Sequence, residues 1–315
     1  VNQSNFTQTA LMLGAMTALL ALIGYILAGR EGLFLTALFI FAFMSLGRGA
    51  SKVWMLRAIH AVKLEADDAP VIHAMAEELA RRAELPRSPD IYFLEADAML
   101  GFSVGNSEDD SAIVLSGALL QGLTPREIAS VLAHEISHIA AGDLTVMGLA
   151  DLITRLTRTL SMLGVVLVIF NIPIAVTGGA YLPWGALVLL VMAPLLSLLL
   201  QMGLSRVREF EADAAAVDIS GDPEALALAL EKLEVRQNGF LRHVFLPHDP
   251  GTVPSLLRSH PITRQRVTRI LQQVPKMAPL PAHLIDEHHG YPSDDVVAGG
   301  WPLGVPVKWL LRWWR

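Results

Sequence analysis

The 315-residue sequence contains no cysteine. That excludes disulfides, iron–sulfur clusters, cysteine-liganded zinc and a cysteine nucleophile, and it fits a reducing compartment. Charge is scarce too: 17% of the residues are charged, against about 25% in ordinary soluble domains. There is no surplus of basic residues of the kind nucleic-acid binding needs, because 24 Lys and Arg face 30 Asp and Glu for a net charge of −6. What the chain has in abundance is apolar sequence, 53% of its residues, with a mean hydropathy of +0.46. Such a balance argues against a purely soluble protein.

The apolar residues fall in two blocks. Leu11 to Gly29 carries no charge and has about the length of ~20 residues that a helix needs to cross a bilayer. Leu33 to Leu46 follows after Arg30, Glu31 and Gly32, so the two stretches read as a tight helical hairpin. A cleaved signal peptide is disfavoured, since Val1 to Gln8 lack Lys and Arg and a second apolar stretch follows at once. The second block has no charge between Arg158 and Arg206 and is broken near its middle by Pro173, Gly178, Gly179 and Pro183. It divides into Thr159 to Ala175 and Leu182 to Leu204, giving four spans in all. Arg48, Lys52, Arg57 and Lys63 follow the first hairpin, and Arg155, Arg158, Arg206 and Arg208 flank the second. The connection from Asn171 to Trp184 is uncharged. By the positive-inside bias, both termini and the polar domain are expected in the cytoplasm.

The polar residues form a domain interrupted by the second hairpin. A helical period over Ala69 to Leu85 ends at Pro86. Strands are expected at Asp90 to Leu94 and Ala112 to Leu115, with a turn region from Gly101 to Ser111 between them. Thr124-Pro125-Arg126-Glu127 has capping-box spacing and proline at the first helical position, and it opens a helix through Ala141. Helices are also expected at Arg206 to Ile219 and Pro223 to Arg236, with another starting near Pro261. The resulting division is 8–48 (first hairpin), 49–158 (first catalytic segment), 159–205 (second hairpin), 206–274 (second catalytic segment) and 275–315 (a Pro- and Gly-rich tail).

The central motif is His134-Glu135-Ile136-Ser137-His138. Histidines four apart share a helical face and can reach one zinc ion, and the glutamate beside the first can reach a water on that metal and serve as general base. Two histidines leave a tetrahedral zinc short of a ligand. The third histidine of the metzincins is absent, because Ala141 and Leu144 stand where that pattern has Gly and His. The best third ligand is Glu209 in Arg208-Glu209-Phe210-Glu211-Ala212-Asp213. Glu209 and Asp213 are again four apart, so one carboxylate can bind zinc while the other orients a ligand histidine.

These residues, with Gly142-Asp143, Ser205 to Asp213, and Ser259-His260-Pro261 followed by Arg266, resemble the HtpX-type membrane zinc metallopeptidases over roughly residues 8 to 272. The resemblance implies an α-rich membrane protein of four transmembrane helices, with a cytoplasmic α+β, zincin-like catalytic domain carrying a small sheet. It implies one Zn2+ per chain on His134, His138 and Glu209, with Asp213 behind the ligands and His260 and Arg266 near the substrate carbonyl. It also implies an edge strand offered to an extended substrate, for which Ala112 to Leu115 is the candidate by position. Ile262 stands where the family pattern has a second proline, and the tail after Val274 is outside the family core.

The expectation is therefore a zinc endopeptidase of the bacterial cytoplasmic membrane, acting on misfolded or damaged membrane proteins, with polypeptide and lipid bilayer as partners and no nucleic acid. A site-2-type intramembrane protease is disfavoured by Arg126, Glu127 and Asp143 flanking the motif. A silent zinc-stabilised scaffold is disfavoured by the presence of Glu135. His283, His288 and His289 form a weak second metal candidate in the tail. Trp301, Trp309, Trp313 and Trp314, with Lys308, Arg312 and Arg315, read as an interfacial anchor.

Overall fold

The apolar blocks become long helices. In the computed structural model, which describes residues 3–46, 51–105, 107–178, 183–245 and 263–285, α1 spans Gln3–Leu46, α6 Asp143–Val176 and α7 Trp184–Ser220. Each of the three contains a segment long and apolar enough to cross a membrane. Within α1, Ala28 and Gly29 leave helical geometry, Gly29 at φ +59°. A Cβ on Gly32 would fall 1.9 Å from the Gly24 carbonyl oxygen. In an unbroken helix those residues would stand about 12 Å apart along the axis, so the chain folds back on itself here, and glycine allows the two arms to touch.

Contacts divide the chain into two units, one holding α1, α6 from Thr145 and α7 up to Arg208. In that unit Met16 and Leu20 pack with Ala150, Ile153 and Leu204, while Ile23 packs with Leu187, Leu190 and Ala193. Two polar contacts cross between α6 and α7: the Thr154 and Ser197 hydroxyls are 3.0 Å apart, and Ser161 donates to the Leu190 carbonyl. Hydroxyls used this way help join helices where water is absent. Phe34, Phe41, Ile169 and Phe170 are exposed, as a lipid-facing surface requires.

The second unit contains α2 (Ser51–Ala58), β1 (Val62–Lys63), α3 (Pro70–Arg82), β2 (Asp90–Leu94), β3 (Gly101–Gly105), β4 (Ser111–Ser116), α4 (Gly117–Gly122) and α5 (Pro125–Ala140). It continues with α7 from Glu209, then α8 (Pro223–Phe245), α9 (Thr263–Gln272) and α10 (Ala282–Ile285). The strand order is β1-β2-β4-β3, with β2 and β4 parallel and the outer two antiparallel to their neighbours. Side chains alternate as the pleat demands. Ile91, Ile113 and Leu115 join the core formed with α3 and α5, whereas Tyr92, Val104, Ala112 and Val114 face Leu56 of α2.

Two expectations are corrected. The turn region from Gly101 to Ser111 contains the strand β3, which its flanking glycines disguise. Ala112 to Leu115 is not an edge: it lies between β2 and β3 and is buried throughout. Its unbroken apolar run is what a strand covered on both faces needs. The edge beside it is β3.

Three boundaries also differ. Helix α6 begins at Asp143, ahead of the span expected from Thr159, and α7 runs through both the expected span Leu182 to Leu204 and the expected helix Arg206 to Ile219 as one helix to Ser220. Pro173 lies inside α6 without ending it, and α8 runs beyond Arg236. The beginning of the expected tail is docked. Arg82 donates to the carbonyls of Ile219 (2.9 Å) and Ala278 (2.7 Å), Leu280 is buried, and Leu284 and Ile285 pack on the core. The four tryptophans of the tail, His288 and His289 lie outside the described residues.

Candidate metal centre

Local sequence fixes α5 firmly. Thr124 Oγ1 accepts from the Glu127 N–H at 3.4 Å and the Glu127 carboxylate accepts from the Thr124 N–H at 2.7 Å, so the expected capping box is present. The N-terminal end is also tied to α8: Arg126 binds both oxygens of Asp222 at 2.8 and 3.0 Å, and Lys232 reaches Glu127 at 2.7 Å. At the other end Gly142, at φ +70°, turns the chain from α5 into α6. That conformation suits glycine and places Asp143 beside the second histidine of the motif.

His134 and His138 project from one face of α5, and their Nε2 atoms are 3.2 Å apart. Two imidazole nitrogens on a tetrahedral zinc, each at about 2.05 Å, would be separated by about 3.3 Å. The pair is therefore already at chelating distance. From α7, Glu209 brings one oxygen to 3.7 Å from His134 Nε2 and the other to 3.9 Å from His138 Nε2. Among the described residues these three form the one group of His, Asp and Glu atoms close enough to hold a metal ion, with mutual separations under 4.8 Å. One acid and two imidazoles suit a divalent transition metal, zinc included.

Carboxylates stand behind both histidines. His138 Nδ1 is 2.7 Å from Asp143 Oδ2, and His134 Nδ1 is 3.2 Å from Asp213 Oδ1. The hydrogen bond to Asp143 fixes the His138 ring and leaves its Nε2 free to face a metal, whereas His134 meets Asp213 as a close ion-pair approach only. Burial by itself would lower the His138 pKa. The bond to Asp143 and the charges of Glu135, Glu209 and Asp143 outweigh that effect and hold it at about 9.

Arg266, buried on α9, donates through Nε and Nη2 to the two oxygens of Asp213 at 2.7 and 2.6 Å. Its Nη1 lies 2.9 Å from Glu209 Oε2. Burial opposes this charge, but the Asp213 bonds and the charges of Asp213, Glu209 and Glu135 raise the guanidinium pKa above its ordinary value. A second contact joins the same helices, Arg269 lying 4.0 Å over the Phe210 ring.

The structure thus brings together His134, Glu135, His138, Glu209, Asp213 and Arg266. It places Arg266 on Glu209 and Asp213 of α7. His260 is outside the described residues. Asp143, in contact with His138, is a further candidate that the motif spacing alone does not assign. The signal available is an acidic residue directly after the glycine that ends the motif helix, a position from which a side chain can fold back onto the last turn.

Residues 66–274 match peptidase family M48. A protein described as a protease HtpX homolog from Methylibium petroleiphilum is 31% identical over 289 residues, covering 86% of this chain and 99% of that one. Another from Burkholderia multivorans is 30% identical over 285 residues, covering 85% and 96%. Among solved structures, that of S. mikatae Ste24p superposes with a TM-score of 0.51 at 20% identity. It covers 85% of this chain, which spans 65% of the Ste24p length, and it is a likeness of fold. A membrane-protein architecture and a protease are the class defined by the apolar helices and these relatives. The chain belongs to peptidase family M48.

Proposed function

We propose that the chain is a zinc-dependent endopeptidase of the bacterial cytoplasmic membrane that cleaves misfolded or damaged membrane proteins. The observation that carries this reading is the convergence of His134 Nε2, His138 Nε2 and the Glu209 carboxylate beside Glu135. His134, His138 and Glu209 would hold the metal, and bound there it would polarise a carbonyl and acidify a water. Glu135, largely buried on the same helix, takes the proton of the attacking water and later delivers it to the leaving amine. Asp143 holds His138 in the tautomer that presents Nε2, and Asp213 stands close to His134. Arg266 keeps Asp213 charged and holds both Asp213 and Glu209 in place. His260 is proposed, from the family resemblance, to lie near the substrate carbonyl.

The substrate is proposed to add as an extended strand to the open edge of β3. This strand has no strand partner on its outer side among the described residues and packs against the metal helix: a Cβ on Gly101 would lie 3.1 Å from Val131 Cγ1. The Leu100 carbonyl accepts from the Ser116 N–H, so Leu100 and Ser116 form a hydrogen-bonded pair. By the alternation of antiparallel pairs, Gly101, Ser103 and Gly105 turn their backbone groups outward. Pairing there binds main chain with little dependence on sequence, as a quality-control enzyme needs.

The two arms of α1, with α6 and α7, are proposed as four membrane crossings, with both termini and the catalytic unit cytoplasmic. The motif helix α5 is not one of the three apolar helices, which supports a site outside the lipid.

The direct test is cleavage of an unfolded membrane protein by the full chain in detergent or nanodiscs. Chelation should abolish cleavage and zinc should restore it. Full activity after the metal has been removed would overturn the reading.

A further inference from the structure

Lys52 is buried on α2, an unusual place for an ammonium group. Its Nζ lies 3.2 Å from Asp90 Oδ2, 3.0 Å from Asp110 Oδ1 and 3.2 Å from the Ser111 carbonyl oxygen. All three of its N–H donors are thus engaged. Asp90 begins β2, whereas Asp110 and Ser111 close the turn between β3 and β4. Lys52 therefore joins α2, an inner strand and the far end of the hairpin that carries the open edge.

That end of β3 closes tightly on the turn that Lys52 grips. Gly105 sits at φ +153°, pressed against the turn so that a Cβ there would meet the Asp110 carbonyl oxygen at 2.3 Å. Within the turn the Asp110 N–H donates to the Ser107 carbonyl and hydroxyl, each at 3.2 Å, and the Ser111 hydroxyl to the Glu108 carbonyl at 3.4 Å, all local bonds that do not reach another element. Asp90 stays charged for this role. Burial would raise its pKa, but Lys52 and Lys63 bring it below the usual carboxylate value. Phe102 and Val104 also pack with Leu56 of α2, so α2 holds the middle of β3 through apolar contact and its end through Lys52.

We infer that Lys52 is a positioning residue for substrate: by fastening the β3–β4 turn it fixes the strand edge on which an extended polypeptide pairs, without touching the metal ligands or the general base. This rests on the strand-addition reading above. It assigns to α2 a task in the productive placement of a long substrate, distinct from the chemistry of α5 and α7.

The test compares Lys52→Met, Lys52→Arg and Asp110→Asn with wild type in the full chain. Two substrates are used, an extended peptide of about a dozen residues and a capped tripeptide too short to follow β3. For Lys52→Met, KM for the long peptide should rise about tenfold with kcat and bound zinc unchanged, the signature of lost binding shared by ground and transition states. The tripeptide should be cleaved as by wild type. Lys52→Arg, which keeps a donor and a charge, should recover most of the loss, and Asp110→Asn should show a weaker form of it. Amide hydrogen exchange over residues 101–111 should quicken at least tenfold in Lys52→Met while α5 stays protected. Equal loss on both substrates, a fall in zinc content, or unchanged exchange in the hairpin would overturn the inference. If wild type itself shows no advantage for the long peptide, strand addition fails first and the role of Lys52 falls with it. A length advantage that survives in Lys52→Met removes only the latter.

Discussion

Arg266 and Asp213 form a two-pronged ion pair, with Nε–Oδ2 at 2.7 Å and Nη2–Oδ1 at 2.6 Å, and the remaining arm of the guanidinium reaches Glu209. One cation on α9 thereby restrains both the proposed third ligand and the carboxylate behind the first. Removing it would leave the buried Asp213 without the guanidinium that pairs with it and would take one ion-pair contact from Glu209. Arg266→Met is expected to weaken zinc affinity about 10- to 100-fold, the range seen when partners of metal ligands are lost. Stability should fall by about 3–5 kcal/mol as a buried pair is broken. Arg266→Lys should recover little, because an ammonium cannot reproduce the planar fork. Metal titration and thermal unfolding of the two variants check this.

The Asp143–His138 contact sets a pH dependence. In protein stripped of metal, the His138 pKa of about 9 lies above its ordinary 6.5. The raised value means that the charged imidazole stabilises the fold fully below pH 6.5, and that this contribution is lost as pH rises through 9. Zinc must displace that proton. Binding at neutral pH should release about one proton from His138, and affinity should tighten about tenfold per pH unit until pH 9. Calorimetry in buffers of different ionisation enthalpy measures the proton count. An affinity independent of pH between about 7 and 9 would contradict it.

Gly221 offers a stability test remote from the metal. It sits at φ +71°, and a Cβ would fall 2.4 Å from the Ala278 carbonyl carbon. Gly221→Ala therefore meets both backbone strain and a backbone collision with the docked segment after α9. A loss of at least ~2 kcal/mol is expected in chemical unfolding. A neutral outcome would mean that the segment around Ala278 packs elsewhere.

Topology can be tested cleanly because the chain has no cysteine. A membrane-impermeant thiol reagent outside intact cells should label a cysteine placed at Gly178, just after α6, and leave one at the exposed Glu77 of α3 unlabelled. The reverse pattern would invert the proposed orientation.

Where local chemistry decides structure, the sequence is readable. The Thr124–Glu127 capping box, the histidine spacing on α5 and the Glu209–Asp213 spacing on α7 all depend on residues within one or two helical turns. What stays hidden depends on distance. Nothing local announces that Arg266 reaches Asp213 or that Lys52 reaches Asp110. Strand β3 is hidden for a different reason: glycine at both ends imitates a turn, although Phe102 and Val104 alternate with smaller residues as a half-covered strand does. The edge expected at Ala112 to Leu115 fails because position along the chain says nothing of coverage. A strand of four consecutive apolar residues is covered on both faces, and such a strand belongs inside a sheet.

The most direct measurement of the central claim is the hydrolysis of an unfolded membrane protein by Glu135→Gln. The substitution keeps His134, His138 and Glu209 and removes only the proton acceptor. Turnover should fall by at least ~10²-fold while bound zinc stays near one per chain. Glu209→Ala, by contrast, should lose metal first and activity as a result. Wild-type turnover in Glu135→Gln would contradict the proposed mechanism.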